Sequence, residues 1–150
     1  MYILGDIGNS ETKIFLVNSK YKILKSINIP TKQINNKTLK SNFKKIILDL
    51  KKIDKILFCS VVPKYFNFIK KFLSQKTKVK CYEIKNLSLK SLINIKVNFK
   101  QVGSDRLTNA ISLLNNVDNF IILDLGTATT FDVIIKKTYL GGIIAPGVKI

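Results

Sequence analysis

A chain of 150 residues has room for one domain, or for one small domain and part of another, and its 46% hydrophobic content is enough for a buried core. It contains no histidine, which excludes a Ser-His-Asp triad and a His-ligated metal, so a general base must be Asp, Glu, Lys, Tyr or Cys. The formal net charge is +17, but Arg106 is the only arginine and the lysines are spread along the chain. Arginine is the side chain that best recognises guanine edges and phosphate forks. We therefore expect no nucleic-acid partner and attribute to the charge an attraction for small anionic ligands.

The cysteines and the apolar runs indicate the compartment. Cys59 and Cys81 lie far apart without a CxxC motif, and sparse cysteine is typical of proteins in the reducing cytoplasm. The N-terminus has no basic segment before a long apolar core, and no apolar run approaches about 20 residues. We therefore expect a cytoplasmic protein with no secretory signal and no membrane partner.

The chain opens with three predicted strands. Residues 2–7 and 12–18 are apolar runs joined by a polar turn, and residues 22–29 form a third strand that a proline ends. Asp6 stands near the end of the first strand, and Gly8 follows in the turn. A small turn with a glycine exposes backbone N–H groups to a phosphate, and a carboxylate beside it can hold a metal ion that neutralises phosphate charge.

Helices and strands alternate in the next part of the chain. A helix capped by Thr38 or Ser41 is predicted to run to about Lys52. Its apolar stripe consists of Phe43, Ile46, Ile47 and Leu50. A buried strand over residues 56–62 leads to a second helix that begins at Pro63, and another strand follows. The order β-β-β-α-β-α-β predicts a mixed sheet with helices packed on it.

A third helix begins at residues 103–106, which read Gly-Ser-Asp-Arg. The residues before it, 85–102, predict a short helix or strand and then a loop. Ser104 is a suitable N-cap and Asp105 complements the helix dipole, but a cation such as Arg106 is disfavoured at a helix N-terminus. This unfavourable position predicts that the Arg106 guanidinium has a ligand anion or a carboxylate as its partner.

The unit of strand, Asp-x-Gly turn and strand occurs a second time. Residues 120–123 form an apolar strand that leads into the second turn, and residues 133–135 continue in the next strand. The matching pairs are Asp6 with Asp124, Gly8 with Gly126, and Thr12 with Thr130. A lone Asp-x-Gly occurs in ordinary hairpins, whereas two copies with the same flanking pattern indicate a repeated phosphate-binding unit.

The repeat predicts two related domains, residues 1–116 and residues 117–150. The second copy continues its antiparallel sheet from Tyr139 and then enters a Gly/Pro loop that reaches Gly147. By symmetry with the first domain, the second should still need its helices, and one face of its three strands would have no cover. We therefore expect a chain that is truncated at its C-terminus.

Four segments, in this order, resemble type III pantothenate kinases. They are Asp6-Ile7-Gly8-Asn9-Ser10, Gly103-Ser104-Asp105-Arg106, Asp124-Leu125-Gly126-Thr127-Ala128-Thr129-Thr130 and Gly141-Gly142-Ile143-Ile144-Ala145-Pro146-Gly147. The resemblance implies an α/β, actin-like (ribonuclease H-like) fold, with one complete domain and the start of a duplicated second one. It implies ATP-dependent phosphorylation of pantothenate to 4'-phosphopantothenate, the first step of coenzyme A biosynthesis. It also implies Mg²⁺, a monovalent cation (K⁺ or NH₄⁺) and a homodimer.

The resemblance further implies a role for each matching residue. The segment that would bind ATP comprises Asp6, Ile7, Gly8, Asn9, Ser10, Glu11, Thr12 and Lys13. Asp6 would lie near Mg²⁺, directly or through water, Thr127 would contact ATP, and Asp124 would bind the monovalent cation. The residues that would hold pantothenate are Gly103, Ser104, Asp105 and Arg106. Asp105 would take the proton from the attacking hydroxyl, and Arg106 would pair with the substrate carboxylate or steady the phosphoryl oxygens.

Two of the departures from the family pattern bear on function. A tyrosine that commonly lines the pantothenate pocket is missing before the Gly-Ser-Asp-Arg motif, and Phe99 would fill its space. Family members are also longer, so we expect a fragment, or a split form that a second chain completes. Two alternatives stay open. One is a non-catalytic nucleotide-binding or regulatory relative of the same fold, and the other is a basic nucleic-acid-binding protein whose affinity for DNA would fall steeply with salt.

Overall fold

The computed structural model of the chain describes residues 1–44, 52–115 and 117–147. The chain has a mixed α/β architecture that divides into two compact units, which we call the first unit (Met1–Asn86) and the second unit (Leu87–Ile150). In the described residues, no helix combines the length and the apolar composition that a membrane crossing requires.

The first unit is built on a five-stranded mixed sheet in the order β3-β2-β1-β4-β5. Its strands are β1 (Tyr2–Ile7), β2 (Glu11–Val17), β3 (Ile23–Pro30), β4 (Lys55–Ser60) and β5 (Cys81–Glu83), and its helices are α1 (Asn36–Lys44) and α2 (Pro63–Ser74). Strands β1 to β3 form an antiparallel meander, whereas β4 runs parallel to β1 and β5 runs parallel to β4. The predicted element order of this part of the chain is confirmed.

Aromatic rings from the helices and the sheet meet in the core of the first unit. The ring centroids of Phe43 and Phe72 lie 5.5 Å apart, and those of Phe58 and Phe66 lie 6.2 Å apart. Burial of each such side chain contributes roughly 1.5–3 kcal/mol. All four rings are buried, including Phe43 of the predicted apolar stripe and Phe58 of the predicted buried strand. The other members of the predicted stripe on the first helix, Ile46, Ile47 and Leu50, lie outside the described residues.

Helix α1 begins at a different residue from the one predicted. The Asn35 side chain accepts hydrogen bonds from the N–H groups of Lys37 (2.9 Å) and Thr38 (3.0 Å), and the Thr38 hydroxyl accepts one from the Asn35 N–H (3.0 Å). This reciprocal pair makes Asn35 the cap, so the prediction of Thr38 or Ser41 is wrong. The continuation predicted over residues 45–51 lies outside the described residues.

The second unit is built on a four-stranded mixed sheet in the order β6-β9-β8-β7. Its elements are β6 (Asn94–Ile95), α3 (Ser104–Ser112), β7 (Asn119–Leu125), β8 (Ala128–Ile135) and β9 (Thr138–Pro146). Strands β7 to β9 form an antiparallel meander like that of β1 to β3, β6 runs parallel to β9, and α3 packs on β8. The three predicted strands and the helix are confirmed.

The compact units divide the chain at a different point from the predicted domains. The second unit begins at Leu87 and therefore includes β6 and α3. The predicted boundary lies between residues 116 and 117, after that helix. The division into two related actin-like domains stays a prediction.

The Cys81 thiol makes the stability of the first unit depend on pH. Burial in β5 raises the pKa of this thiol from 9.0 to about 12, against the opposing charge of Lys70. The folded state keeps the proton where the unfolded chain releases it, so this contribution is fully present below pH 9 and is lost as the pH rises toward 12.

We expect the unfolding free energy of the wild type to fall relative to that of Cys81→Ala above pH 9, by up to about 1.4 kcal/mol per pH unit. Urea titrations of both proteins between pH 7 and pH 11 measure the difference. A difference that stays constant over this range would contradict the prediction.

Candidate functional site

The first turn, residues 8–10, joins β1 to β2. The Gly8 N–H donates to the Glu11 carbonyl oxygen (3.0 Å), and a Cβ at Gly8 would lie only 3.1 Å from the same oxygen. Asn9, Ser10 and Glu11 are exposed, and Asp6 is half-buried one residue before the end of β1. A tight polar turn beside a carboxylate suits a phosphate group accompanied by Mg²⁺, which proteins bind through one or two carboxylates and phosphate oxygens.

Asp6 has a sulfur neighbour in the sheet. It lies opposite Cys59 in the parallel pairing of β1 with β4, and the Cys59 thiol donates to Asp6 Oδ1 at 3.3 Å. Cys59 is half-buried and forms no disulfide with Cys81. Cys59 belongs to the strand predicted to be buried, and the structure places its thiol against the carboxylate predicted to lie near Mg²⁺.

The other residues of the predicted ATP-binding segment differ in what they can offer a ligand. Ile7 and Thr12 are 0% exposed, so their side chains belong to the interior. Lys13 and Glu11 form an exposed ion pair with an N–O distance of 3.4 Å. Such a pair contributes at most about 1 kcal/mol, so an anion bound at the first turn can compete for Lys13.

The second turn, residues 126–127, joins β7 to β8. The Gly126 N–H donates to the Ala128 carbonyl oxygen (3.1 Å), and Thr127 is exposed. Gly147 approaches this turn so closely that a Cβ there would collide with the backbone oxygens of Gly126 and Thr127. The residue after β9 therefore packs directly against the backbone of the second turn.

The pairing of the strands corrects one predicted equivalence. Asp6 lies opposite Lys13, and Asp124 lies opposite Thr130, because the first turn has one more residue between its strands than the second. Thr12 lies opposite Ile7, as Thr129 lies opposite Leu125. The structural counterpart of Thr12 is therefore Thr129, and the predicted match of Thr12 with Thr130 is wrong in register.

Asp124 is held by the helix of its own unit. Asn109 of α3 donates from Nδ2 to Asp124 Oδ2 at 3.0 Å, and the carboxylate is half-buried. Within residues 1–44, 52–115 and 117–147, no three His, Cys, Asp or Glu side chains cluster as a metal site. A cation at Asp124 or Asp6 would therefore take its other ligands from water, backbone carbonyls or substrate oxygens, which hard cations accept.

The start of α3 carries the predicted catalytic carboxylate. Gly103 is the N-cap, Ser104 is the first helical residue and is 1% exposed, so the prediction that Ser104 caps the helix is wrong. The Arg106 N–H donates to Asp105 Oδ1 at 2.8 Å, and Asp105 is half-buried in the first turn of the helix. Phe99 is half-buried and lies in a turn, five residues before Ser104, the first residue of this helix.

Arg106 forms a buried cluster with Asp132 of β8 and Tyr139 of β9. Its Nε lies 2.9 Å from Asp132 Oδ1 and 3.0 Å from Oδ2, its Nη2 lies 2.6 Å from Oδ1, and the Tyr139 hydroxyl donates to the same carboxylate. The hydrogen bond to Asp132 raises the pKa of Arg106. Burial, and then the hydrogen bond to Asp132, raise the pKa of Tyr139. A carboxylate partner for Arg106 was one of the two predicted, and that partner is Asp132.

Sequence reasoning missed Asp132 and Tyr139 as members of the site. The signal for Asp132 is a carboxylate directly before the apolar run of residues 133–135, where a carboxylate is rarely buried without a partner. Tyr139 has no such local signal, because only the antiparallel pairing of β8 with β9 brings it beside Asp132.

Comparison with known proteins places the chain in a family. The family model described as type III pantothenate kinase matches residues 2–150. The type III pantothenate kinase of Pelagibacter ubique is 61% identical over 150 residues, which are 100% of this chain and 60% of that protein. The type III pantothenate kinase of Desulforapulum autotrophicum is 34% identical over 157 residues, with the same two coverages. The chain thus spans about 60% of the length of these curated relatives.

Solved structures share the fold at low sequence identity. A conserved putative Baf family transcriptional activator from Campylobacter jejuni has a TM-score of 0.55 at 19% identity, over 97% of this chain and 55% of that one. A putative N-acetylglucosamine kinase from Porphyromonas gingivalis has a TM-score of 0.53 at 14% identity, over 95% and 47%. The predicted actin-like α/β fold class is confirmed. The family match, which extends over both turns and the start of α3, establishes that the chain belongs to the type III pantothenate kinase family.

Proposed function

We propose that this chain carries out, or supplies the ATP-binding and catalytic part of, the phosphorylation of pantothenate by ATP to 4'-phosphopantothenate, the first step of coenzyme A biosynthesis. The observation that supports this most strongly is the family match over residues 2–150, which includes in each unit an aspartate near the end of a strand and the glycine turn that follows. This chain covers 60% of the length of the relatives named as pantothenate kinases. The kinase activity of the 150-residue chain is therefore itself part of what we propose.

Asp105 is the general base of the proposed reaction. Its carboxylate takes the proton of the primary hydroxyl while the hydroxyl oxygen bonds to the γ-phosphorus, and the bond from that phosphorus to the bridging oxygen of ADP breaks. The first turn positions the phosphates, with Thr127 of the second turn as a further ATP contact. Mg²⁺ near Asp6 would neutralise phosphate charge. Most of the rate enhancement comes from positioning and electrostatic stabilisation, as in phosphoryl transfer generally.

The proposed pantothenate contacts come from α3 and the turn before it. Ser104 is buried, so we assign it a backbone contact beside Gly103, and Phe99 supplies an apolar wall. Arg106 uses Nε and Nη2 for Asp132, which leaves Nη1 as the atom that we assign to the substrate carboxylate or the phosphoryl oxygens. Arg106 is therefore a fixed donor whose orientation Asp132 sets.

Asp124, oriented by Asn109, binds K⁺ or NH₄⁺. The enzyme is a homodimer, and the part of the relatives that this chain does not span comes from the same polypeptide or from a second chain. The reaction takes place in the cytoplasm, as sparse cysteine predicts.

The test is ATP-dependent phosphorylation of pantothenate, measured with and without K⁺. It is run on the 150-residue chain and on the chain joined to the part of the Pelagibacter ubique kinase that the match does not span. Turnover that requires K⁺ in either protein supports the proposal. Absence of turnover from both proteins, when both are folded and bind ATP, would favour a second candidate, a non-catalytic nucleotide-binding relative. The short span of this chain relative to its relatives is the observation that keeps this candidate open.

A further inference from the structure

Thr31, the residue directly after β3, contacts both sides of the first turn. Its N–H donates to the Ser10 carbonyl oxygen at 2.9 Å, and its hydroxyl donates to the Gly8 carbonyl oxygen at 2.7 Å. Pro30 has no N–H, so Thr31 supplies the first available donor beyond the end of the strand. Thr31 is 1% exposed, so both of these hydrogen bonds to the first turn are buried.

The same hydroxyl meets the side chain of Thr12, with the two Oγ1 atoms 2.9 Å apart. Distance alone does not say which hydroxyl donates. A carbonyl oxygen can only accept, so the single proton of the Thr31 hydroxyl is committed to Gly8. Thr12 must therefore donate to Thr31, and the chain of bonds runs from Thr12 through Thr31 to Gly8.

We infer that Thr31 is a positioning residue for the nucleotide and that Thr12 makes no direct bond to it; this inference rests on the proposed function. A phosphate oxygen accepts hydrogen bonds, and the one proton of Thr12 is already used inside the protein. Thr12 is also 0% exposed. The ATP contact predicted for Thr12 is thus replaced by an indirect role, in which Thr12 orients Thr31 and Thr31 fixes the carbonyl groups of the first turn.

In the second unit, too, the residue after a strand-ending proline lies against the turn. The strand pairing puts Pro30 opposite Glu11 and Pro146 opposite Ala128, so Gly147 is the counterpart of Thr31. Gly147 has no side chain and approaches the backbone of the second turn directly. The residue after a strand-ending proline thus lies against the turn in both units, through hydrogen bonds at the first turn and through close backbone packing at the second.

The first test compares three variants of the chain by the Kd of a fluorescent ATP analogue with Mg²⁺. Thr31→Val keeps the shape and removes the hydroxyl, and Thr31→Ser restores the hydroxyl. Thr38→Val removes a hydroxyl whose hydrogen bonds within the described residues lie near the start of α1. We expect Thr31→Val to weaken binding about tenfold, the equivalent of one lost hydrogen bond, with the other two within about twofold of wild type. Where turnover is measurable, KM for ATP should rise and KM for pantothenate should not.

The second test uses the direction of the bonds. Thr12→Val leaves the bond from Thr31 to Gly8 in place, so it should weaken binding less than Thr31→Val does, and the double variant should match Thr31→Val. A double variant that binds about tenfold more weakly again would show that Thr12 contacts the nucleotide. That outcome would overturn the inference, as would Thr31→Val binding as well as Thr38→Val.

Hydrogen exchange of the wild type makes the test independent of how the variants fold. Saturating nucleotide should slow exchange of the Thr31 amide, which donates to Ser10, and should leave the Leu39 amide in α1 unchanged. An unchanged Thr31 amide in nucleotide-bound protein would overturn the inference while leaving the proposed function intact. If the wild type binds no nucleotide, the proposed function and this inference fall together.

Discussion

Asp105→Asn is expected to lower kcat for phosphoryl transfer by about 10²–10⁴-fold, the usual contribution of a positioned general base. The asparagine amide has the shape of the carboxylate, and its oxygen can still accept the hydrogen bond from the Arg106 N–H (2.8 Å in the wild type). The variant therefore removes the base and keeps the start of α3. The measurement is the initial rate of ADP release at saturating ATP and pantothenate, in whichever form of the protein turns over.

Asp118→Asn is the matched control for this experiment. Asp118 is exposed, and its carboxylate accepts a hydrogen bond from Asn115 at 2.8 Å in the loop before β7. We expect this variant to keep its rate within about twofold, because a solvated carboxylate away from the site changes neither the base nor the fold. An Asp105→Asn enzyme that keeps more than about a tenth of the wild-type rate would remove Asp105 from the role of base.

Asp132→Asn is expected to destabilise the second unit by about 3–5 kcal/mol, because it leaves the Arg106 guanidinium buried without a counter-charge. The carboxylate of Asp132 is 1% exposed and accepts hydrogen bonds from both Arg106 and Tyr139. The loss is measured as the fall in unfolding free energy in urea at neutral pH. Turnover should fall as well, because Arg106 loses the partner that orients it.

Two further variants distinguish the loss of stability caused by breaking the buried ion pair from the loss caused by removing a charge. Glu11→Gln breaks an exposed pair and should cost less than about 1 kcal/mol. Arg106→Met combined with Asp132→Leu replaces the pair by apolar side chains, which should recover most of the lost stability without restoring activity. If Asp132→Asn were no more destabilising than Glu11→Gln, the buried pair would have no structural importance.

The elements that were predicted correctly are those whose signal is local. The β-branched runs that became β1, β7 and β8 are short, apolar and bounded by glycine turns, and Pro63 stands at the first position of α2 as proline does in many helices. The duplicated Asp-x-Gly turn was visible for the same reason. Local pattern is sufficient here because tertiary packing and propensity favour the same structure.

The errors concern contacts between residues far apart in the sequence, or a turn that differs by one residue. Counting along the chain pairs Thr12 with Thr130, but the longer first turn shifts the register by one residue. Thr31 lies in a stretch that reads as a polar loop, and its importance depends on hydrogen bonds to Gly8 and Ser10, more than 20 residues earlier. Ser104 has the composition of a cap, yet it begins the helix and is buried.

The exposed apolar face of edge strand β7 favours self-association of this protein in concentrated solution. Ile121, Leu123 and Leu125 on one face of β7 are 75%, 53% and 61% exposed, and β7 is the last strand of its sheet. An apolar edge strand is a template for association between copies, and it is opposed here by the mutual repulsion of chains that each carry a charge of +17. Added salt shortens the range of that repulsion to about 8 Å at physiological ionic strength. Colloidal stability of the 150-residue chain should therefore be greatest in dilute buffer and should decline as salt is added.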